Sequence, residues 1–245
     1  MRVLSFRSLI ASLILLASAC SSAFLTWEQD HYTVREGDTL YAIAWRHEID
    51  YRRLAQWNHM NVNATLNPGQ VLIVSPTATR MQAQPAAARR TQTASTGTAK
   101  PRKSPSGQPS LMAASLSNIK WHWPSNGSVV TTFADDTSLG RGIDIGGAIG
   151  ESVNAAADGE VVYAGDGLIG YGHVAIIKHD AHWLSAYGYN QKLLVREGDV
   201  VQTGQRIALV GQQPNASPSE EGGRLHFEIR YQGEPVDPLR LLPKR

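Results

Sequence analysis

The tightest constraint on this chain is a stretch that is not expected to fold. Residues 77–117 are built mainly of Ala, Thr, Ser, Gln and Pro, with almost no aliphatic period. They carry Arg80, Arg89, Arg90, Lys100, Arg102 and Lys103 and no acidic residue. Such a composition buries too little apolar surface to offset the entropy lost on ordering. The sequence therefore predicts two folded pieces joined by a disordered basic linker. As a flexible coil that linker spans about 35 Å, and stretched it reaches about 140 Å. Its charge fits a solvated linker or, more sharply, attraction to anionic cell-wall or lipid groups.

Over the whole chain 23 basic residues face 21 acidic ones, so no nucleic-acid footprint is indicated. Arg2 and Arg7 precede the apolar run SLIASLILLASA, which ends just before Cys20, the single cysteine. Spanning a bilayer takes about 20 apolar residues, so this run reads as the core of a secretory signal over residues 1–19. Ala17, Ser18 and Ala19 before Cys20 resemble the bacterial lipobox, with Leu16 one place earlier than the preferred position. The resemblance implies lipidation of Cys20, which also removes a lone thiol from an oxidising compartment. Ser21 is not the Asp of an inner-membrane retention signal, so the periplasmic face of an outer membrane is expected. Residues 20–30 would be a short tether from the lipid.

Residues 31–76 contain a compact pattern. Tyr32 to Val34 suits a short strand, Asp38 or Thr39 can cap a helix with Leu40, Ile43 and Ala44 inward, and Asp50 can cap a second with Leu54 and Trp57 inward. The turn Asn67-Pro68-Gly69-Gln70 leads to a closing strand, VLIV. The stretches YTVREGDTLYAIA, LAQWN and LNPGQVLIV resemble the LysM family, small α+β modules of βααβ order. That resemblance implies peptidoglycan binding through a groove between the loop bearing Gly37, Asp38, Thr39 and Leu40 and the segment bearing Asn61, Asn67 and Pro68. For Asp38 and Thr39 taken singly, helix capping is the plainer role.

Residues 118–245 have a β texture. The runs GSVVTTF, GEVVYAG, HVAIIKHD, HWLSAYGY, RIALVGQ and LHFEIRY alternate with Gly and Asp-Gly turn signals and predict antiparallel sheets. The pentapeptide VREGD occurs at residues 34–38 and 195–199; its flanks differ, and the match is taken as coincidence. The stretches GRGIDIGG, LSAYGYN and RLHFEIR resemble the LytM/lysostaphin-type zinc endopeptidases, a mainly antiparallel all-β fold. Active members hold zinc through a His four residues before an Asp, that Asp, and the second His of a His-x-His pair. In this chain those positions are Gly140, Asp144 and His226, and the two assisting histidines are replaced by Tyr189 and Arg224.

The chemistry of that replacement argues against a metal. A catalytic zinc needs three protein ligands and an open position. Glycine has no side-chain donor, and arginine stays charged. A unit charge about 4 Å from Zn²⁺ would cost about 8 kcal/mol at an effective dielectric of 20. Arg224 is expected to pair with Asp144 instead, its guanidinium standing where a metal would. Neither His173 with His179, six residues apart on a strand, nor His179 with His182, expected at an exposed turn, offers a rescue. His31, His47, His59 and His122 lie outside the motif. No cofactor is expected.

Lipobox, LysM module, tether and degenerate LytM domain together are similar to NlpD-type lipoproteins. The resemblance implies a non-catalytic activator of periplasmic N-acetylmuramoyl-L-alanine amidases at the division septum. The surface around Gly140, Asp144, Tyr189, Arg224 and His226 would be the amidase contact. Two other readings stay open at this point: a structural tether between outer membrane and peptidoglycan, and a zinc endopeptidase with unconventional ligands.

Overall fold

The computed structural model describes residues 30–75, 118–133, 142–214, 216 and 222–245. The expectations for the leader, Cys20, the basic linker and Gly140 lie outside these residues.

The N-terminal unit runs β1 (His31–Thr33), α1 (Leu40–Arg46), α2 (Tyr51–Trp57) and β2 (Val71–Ile73). Its two strands pair antiparallel, Tyr32 opposite Leu72. Thr39 rather than Asp38 caps α1, its hydroxyl accepting from the Ala42 N–H at 3.1 Å. Asp50 caps α2 by accepting from the N–H groups of Arg52 and Arg53 at 2.9 and 3.2 Å. Leu40, Ile43, Ala44 and Leu54 are buried, whereas Trp57 is only partly covered.

The C-terminal unit contributes β3 (Val129–Thr131), β4 (Ile143–Gly147), β5 (Ser152–Asn154), β6 (Gly159–Gly165), β7 (His173–Lys178), β8 (Trp183–Leu193), β9 (Val200–Val201), β10 (Arg206–Val210), β11 (Gly223–Tyr231) and β12 (Glu234–Val236). Each of the six runs read from the sequence contains a strand. Every pairing is antiparallel. The central order is β3-β4-β11-β8-β7-β6-β9, with β12 added to β11 and β10 joining β8 to β5. One face of the sheet packs Ile143, Ala175, Ile177, Trp183, Tyr187, Leu225, Phe227 and Ile229 into a core.

The other face is covered by the N-terminal unit. Val162, Tyr163, Leu168, Tyr171, Val174, Ile176, Leu184 and Ala186 share a second core with Leu40, Ile43, Trp45 and Leu54. The two folded pieces are thus packed together. Polar contacts fix the junction: Tyr51 Oη donates to the Ala181 carbonyl at 3.2 Å, and Arg46 to the Gly167 carbonyl at 2.9 Å. At Gly233, between β11 and β12, a Cβ would stand 2.4 Å from the Asp50 nitrogen. Only glycine permits that approach.

Candidate functional site

Alternation along β11 puts Leu225, Phe227 and Ile229 into the core and Arg224, His226, Glu228 and Arg230 on the opposite face. Strands β4 and β8 flank it, with Asp144 and Gly188 each directly opposite His226. These registers bring four of the expected positions together: Asp144, Tyr189, Arg224 and His226.

His226 Nδ1 lies 2.7 Å from Asp144 Oδ1, and its Nε2 lies 3.0 Å from Glu228 Oε1. Arg224 Nη1 donates to Asp144 Oδ2 at 3.4 Å and to Gln213 Oε1 at 3.5 Å, so the expected pair forms, though at long range. At the other end Arg230 grips Glu228 Oε2 through Nε and Nη2 at 3.1 and 3.0 Å. Tyr171 donates its hydroxyl proton to Glu228 Oε1 at 2.5 Å. The result is a row of alternating charge from Arg224 through Asp144, His226 and Glu228 to Arg230.

Burial alone would push the His226 pKa down, but hydrogen bonds and charge from Asp144 and Glu228 outweigh it and raise it to about 9. Burial likewise works to raise Glu228, and Arg230 with His226 overcomes this and holds it at about 2. In this arrangement His226 is an imidazolium at neutral pH, donating from Nδ1 to Asp144 and from Nε2 to Glu228. Among the described residues no group of three or more His, Cys, Asp or Glu side chains could hold a metal ion. The zinc that the peptidase fold implies does not fit these residues.

Tyr189 adopts φ +62°, a conformation uncommon for a bulky side chain. Its N–H donates to the Tyr171 carbonyl at 2.7 Å, and its ring centroid lies 5.2 Å from that of His226. Relative exposure is 2 % for Tyr189, 1 % for His226 and 7 % for Asp144. Arg224 is the accessible member, its side chain 30 % exposed on a groove of about 170 Å³ bordered by Gly146, Gly147, Gln213, Gly222 and Gly223. His179 is not the exposed turn residue expected. Its ring nitrogens lie 2.7 Å from the Asp158 carbonyl and from Ser185 Oγ, and burial lowers its pKa to about 4.

A second cleft, of about 350 Å³, lies between residues 37–41 and 62–66 of the N-terminal unit and is completed by residues 160–162, 197 and 198. Gly37, Asp38, Thr39 and Leu40 border it; Asn61, Asn67 and Pro68 do not. Asn61 Oδ1 instead accepts from the Asn63 N–H at 2.9 Å, and the Asn67 carbonyl closes the turn to Gln70 at 3.0 Å. Asp38 Oδ2 is taken up by the Tyr32 hydroxyl and the Arg35 N–H at 2.7 and 2.8 Å. Thr39 Oγ1 donates to the Val162 carbonyl at 3.3 Å, across the junction.

Comparison with known proteins agrees with both units. Residues 32–75 match the LysM domain and residues 138–238 match peptidase family M23. A Pseudomonas aeruginosa protein named lipoprotein NlpD/LppB homolog is 40% identical over 237 residues, covering 87% of this chain and 77% of that one. The chain belongs to the NlpD/LppB lipoprotein family. In Escherichia coli K12 a family member named murein hydrolase activator NlpD is 37% identical over 262 residues, covering 87% of this chain and 68% of its own. The solved structure of lysostaphin, an antimicrobial peptidase from Staphylococcus simulans, aligns with TM-score 0.41 at 24% identity over 46% of this chain and 48% of its own.

Beyond the NlpD/LppB motifs, Glu228, Arg230, Tyr171 and Trp45 were not singled out in the sequence. Arg230 donates to the Trp45 carbonyl at 2.9 Å and lies 3.8 Å from the centroid of the Trp45 ring. The Trp45 indole donates to Tyr171 Oη at 3.2 Å. Hydrogen bonds and ion pairs thus run unbroken from Arg224 in the groove to the LysM unit. The signal was present in RLHFEIR, where four ionisable residues alternate with three apolar ones, a pattern that ordinarily marks a solvated strand face.

Proposed function

We propose that this chain is a non-catalytic activator of periplasmic N-acetylmuramoyl-L-alanine amidases. One observation carries the reading. In a family with a member named murein hydrolase activator, the His226 imidazole has both nitrogens committed to carboxylates, and a guanidinium rests on Asp144. A side-chain set without the three free donors a catalytic zinc needs can still present a shaped, charged surface to a protein. Arg224 is the contact group on that surface, and His226, Asp144 and Tyr189 position it from beneath. Gly140 belongs to the same proposed surface.

Activation requires the chain to bind the open form of the amidase better than the closed form. Moving a 1:99 balance to 99:1 takes about 5.5 kcal/mol of such preference. Lipidation at Cys20 and glycan binding by the LysM unit would hold the activator between outer membrane and peptidoglycan, raising its effective concentration at the septum.

The test mixes the purified protein with each periplasmic amidase and follows dye release from labelled peptidoglycan. Release by one pair, with none from this protein alone, is the expected result. Equal amidase rates with and without it would leave only the tethering role, and cutting by this protein alone would make it a hydrolase.

A further inference from the structure

The repeated pentapeptide VREGD builds the same turn twice. Arg35 N–H donates to Asp38 Oδ2 and Arg196 N–H to Asp199 Oδ2, each at 2.8 Å. Asp38 N–H returns to the Arg35 carbonyl at 3.2 Å and Asp199 N–H to the Arg196 carbonyl at 3.1 Å. Gly37 and Gly198 take φ +79° and +88°, where side-chain-bearing residues are strained. The flanking folds are unrelated, so the identity lies in local turn chemistry. Yet both turns border one cleft, the first from the LysM unit and the second from the peptidase-like unit.

That shared cleft has the polar groups a sugar needs on the side the LysM unit does not supply. Glu197, an exposed residue, borders it, and its carboxylate has no hydrogen bond or ion pair among the described residues. Burial pushes its carboxyl pKa upward. Glu160 borders the same space, ion-paired with Lys178 at 3.3 Å. The Tyr41 hydroxyl, on a residue also bordering the cleft, is buried without a partner among the described residues.

We propose that the glycan site is composite: the second VREGD turn, through Glu197, and Glu160 form a wall that clasps an uncharged N-acetylated sugar against the LysM loop. This rests on the LysM unit being the glycan binder. Sugar hydroxyls and acetamido N–H groups donate to carboxylates, and such charge-assisted bonds are the stronger kind. The same carboxylates repel a ring bearing an ionised lactyl-peptide chain, so bare N-acetylglucosamine is favoured over substituted muramic acid.

The experiment titrates the full chain with an N-acetylglucosamine tetramer in a calorimeter, beside Glu197→Ala and the milder Glu197→Gln. Binding by the parent, weakened about tenfold in Glu197→Ala and less in Glu197→Gln, is expected. Unfolding temperatures confirm that each variant is folded; Glu197 sits in a turn, and Gln retains its shape. Parent binding with both variants unchanged or tighter would overturn the composite wall and leave the LysM reading standing. No parent binding to the tetramer would overturn both.

Discussion

The His226 imidazole sits 2.7 Å from Asp144 and 3.0 Å from Glu228, a cation enclosed by two carboxylates. Because its pKa rises from 6.5 to about 9 on folding, the folded state holds the proton more tightly. The stabilisation is complete below about pH 6.5 and is lost as pH climbs through about 9. Glu228, held at about 2, adds stability that is complete above its ordinary 4.5 and vanishes as pH falls toward 2. Unfolding temperature measured from pH 5 to pH 10 should therefore fall above pH 6.5, and His226→Gln should flatten that decline. A parent curve flat to pH 9 would contradict the proton assignment.

Arg230→Met strands Glu228 as a charge without its guanidinium. Losing one partner of a buried pair costs about 3–5 kcal/mol. The double variant Arg230→Met, Glu228→Gln should recover part of that loss, because neither charge then remains. Urea denaturation reads both. A single-variant change below about 0.5 kcal/mol would show that the pair is solvated.

Trp45→Ala removes the ring under Arg230 and the donor to Tyr171. A loss of about 3–5 kcal/mol is expected, typical of truncating a buried tryptophan. Small-angle scattering should then show an expanded particle as the two units separate. An unchanged radius of gyration together with unchanged stability would contradict the docked arrangement.

The docking shows where sequence reading stopped. Six of the ten strands of the C-terminal unit were visible as runs, because short apolar segments between turn residues have few alternatives; β4 and the short β5, β9 and β12 were not among them. The Arg224–Asp144 pair was expected from the LytM-type positions the two residues occupy and from their opposite charges. What was missed lay in β7, where Val174, Ala175, Ile176 and Ile177 form an unbroken apolar run. A strand apolar on both faces needs two covers, and the second cover is the LysM unit. Glu228 and Arg230 went unread for the opposite reason. Charges alternating along a strand suggest solvent, and only tertiary contact reveals them as buried partners.

For amidase activation, Arg224→Ala should lower the stimulated rate about tenfold while leaving unfolding temperature nearly unchanged, since its side chain is partly exposed. Tyr189→Ala should lower both, because that ring is buried against His226. Dye release with the amidase, alongside thermal unfolding, separates the two. Full stimulation by Arg224→Ala would move the contact surface elsewhere.

On the proposed reading, protein charges stand at the positions where a LytM-type peptidase would hold zinc. Equilibrating the purified chain with zinc, removing free ion and counting bound metal tests it most directly. Far less than one zinc per chain, unchanged in His226→Gln, is expected; one tightly held zinc per chain, lost in His226→Gln, would contradict that reading.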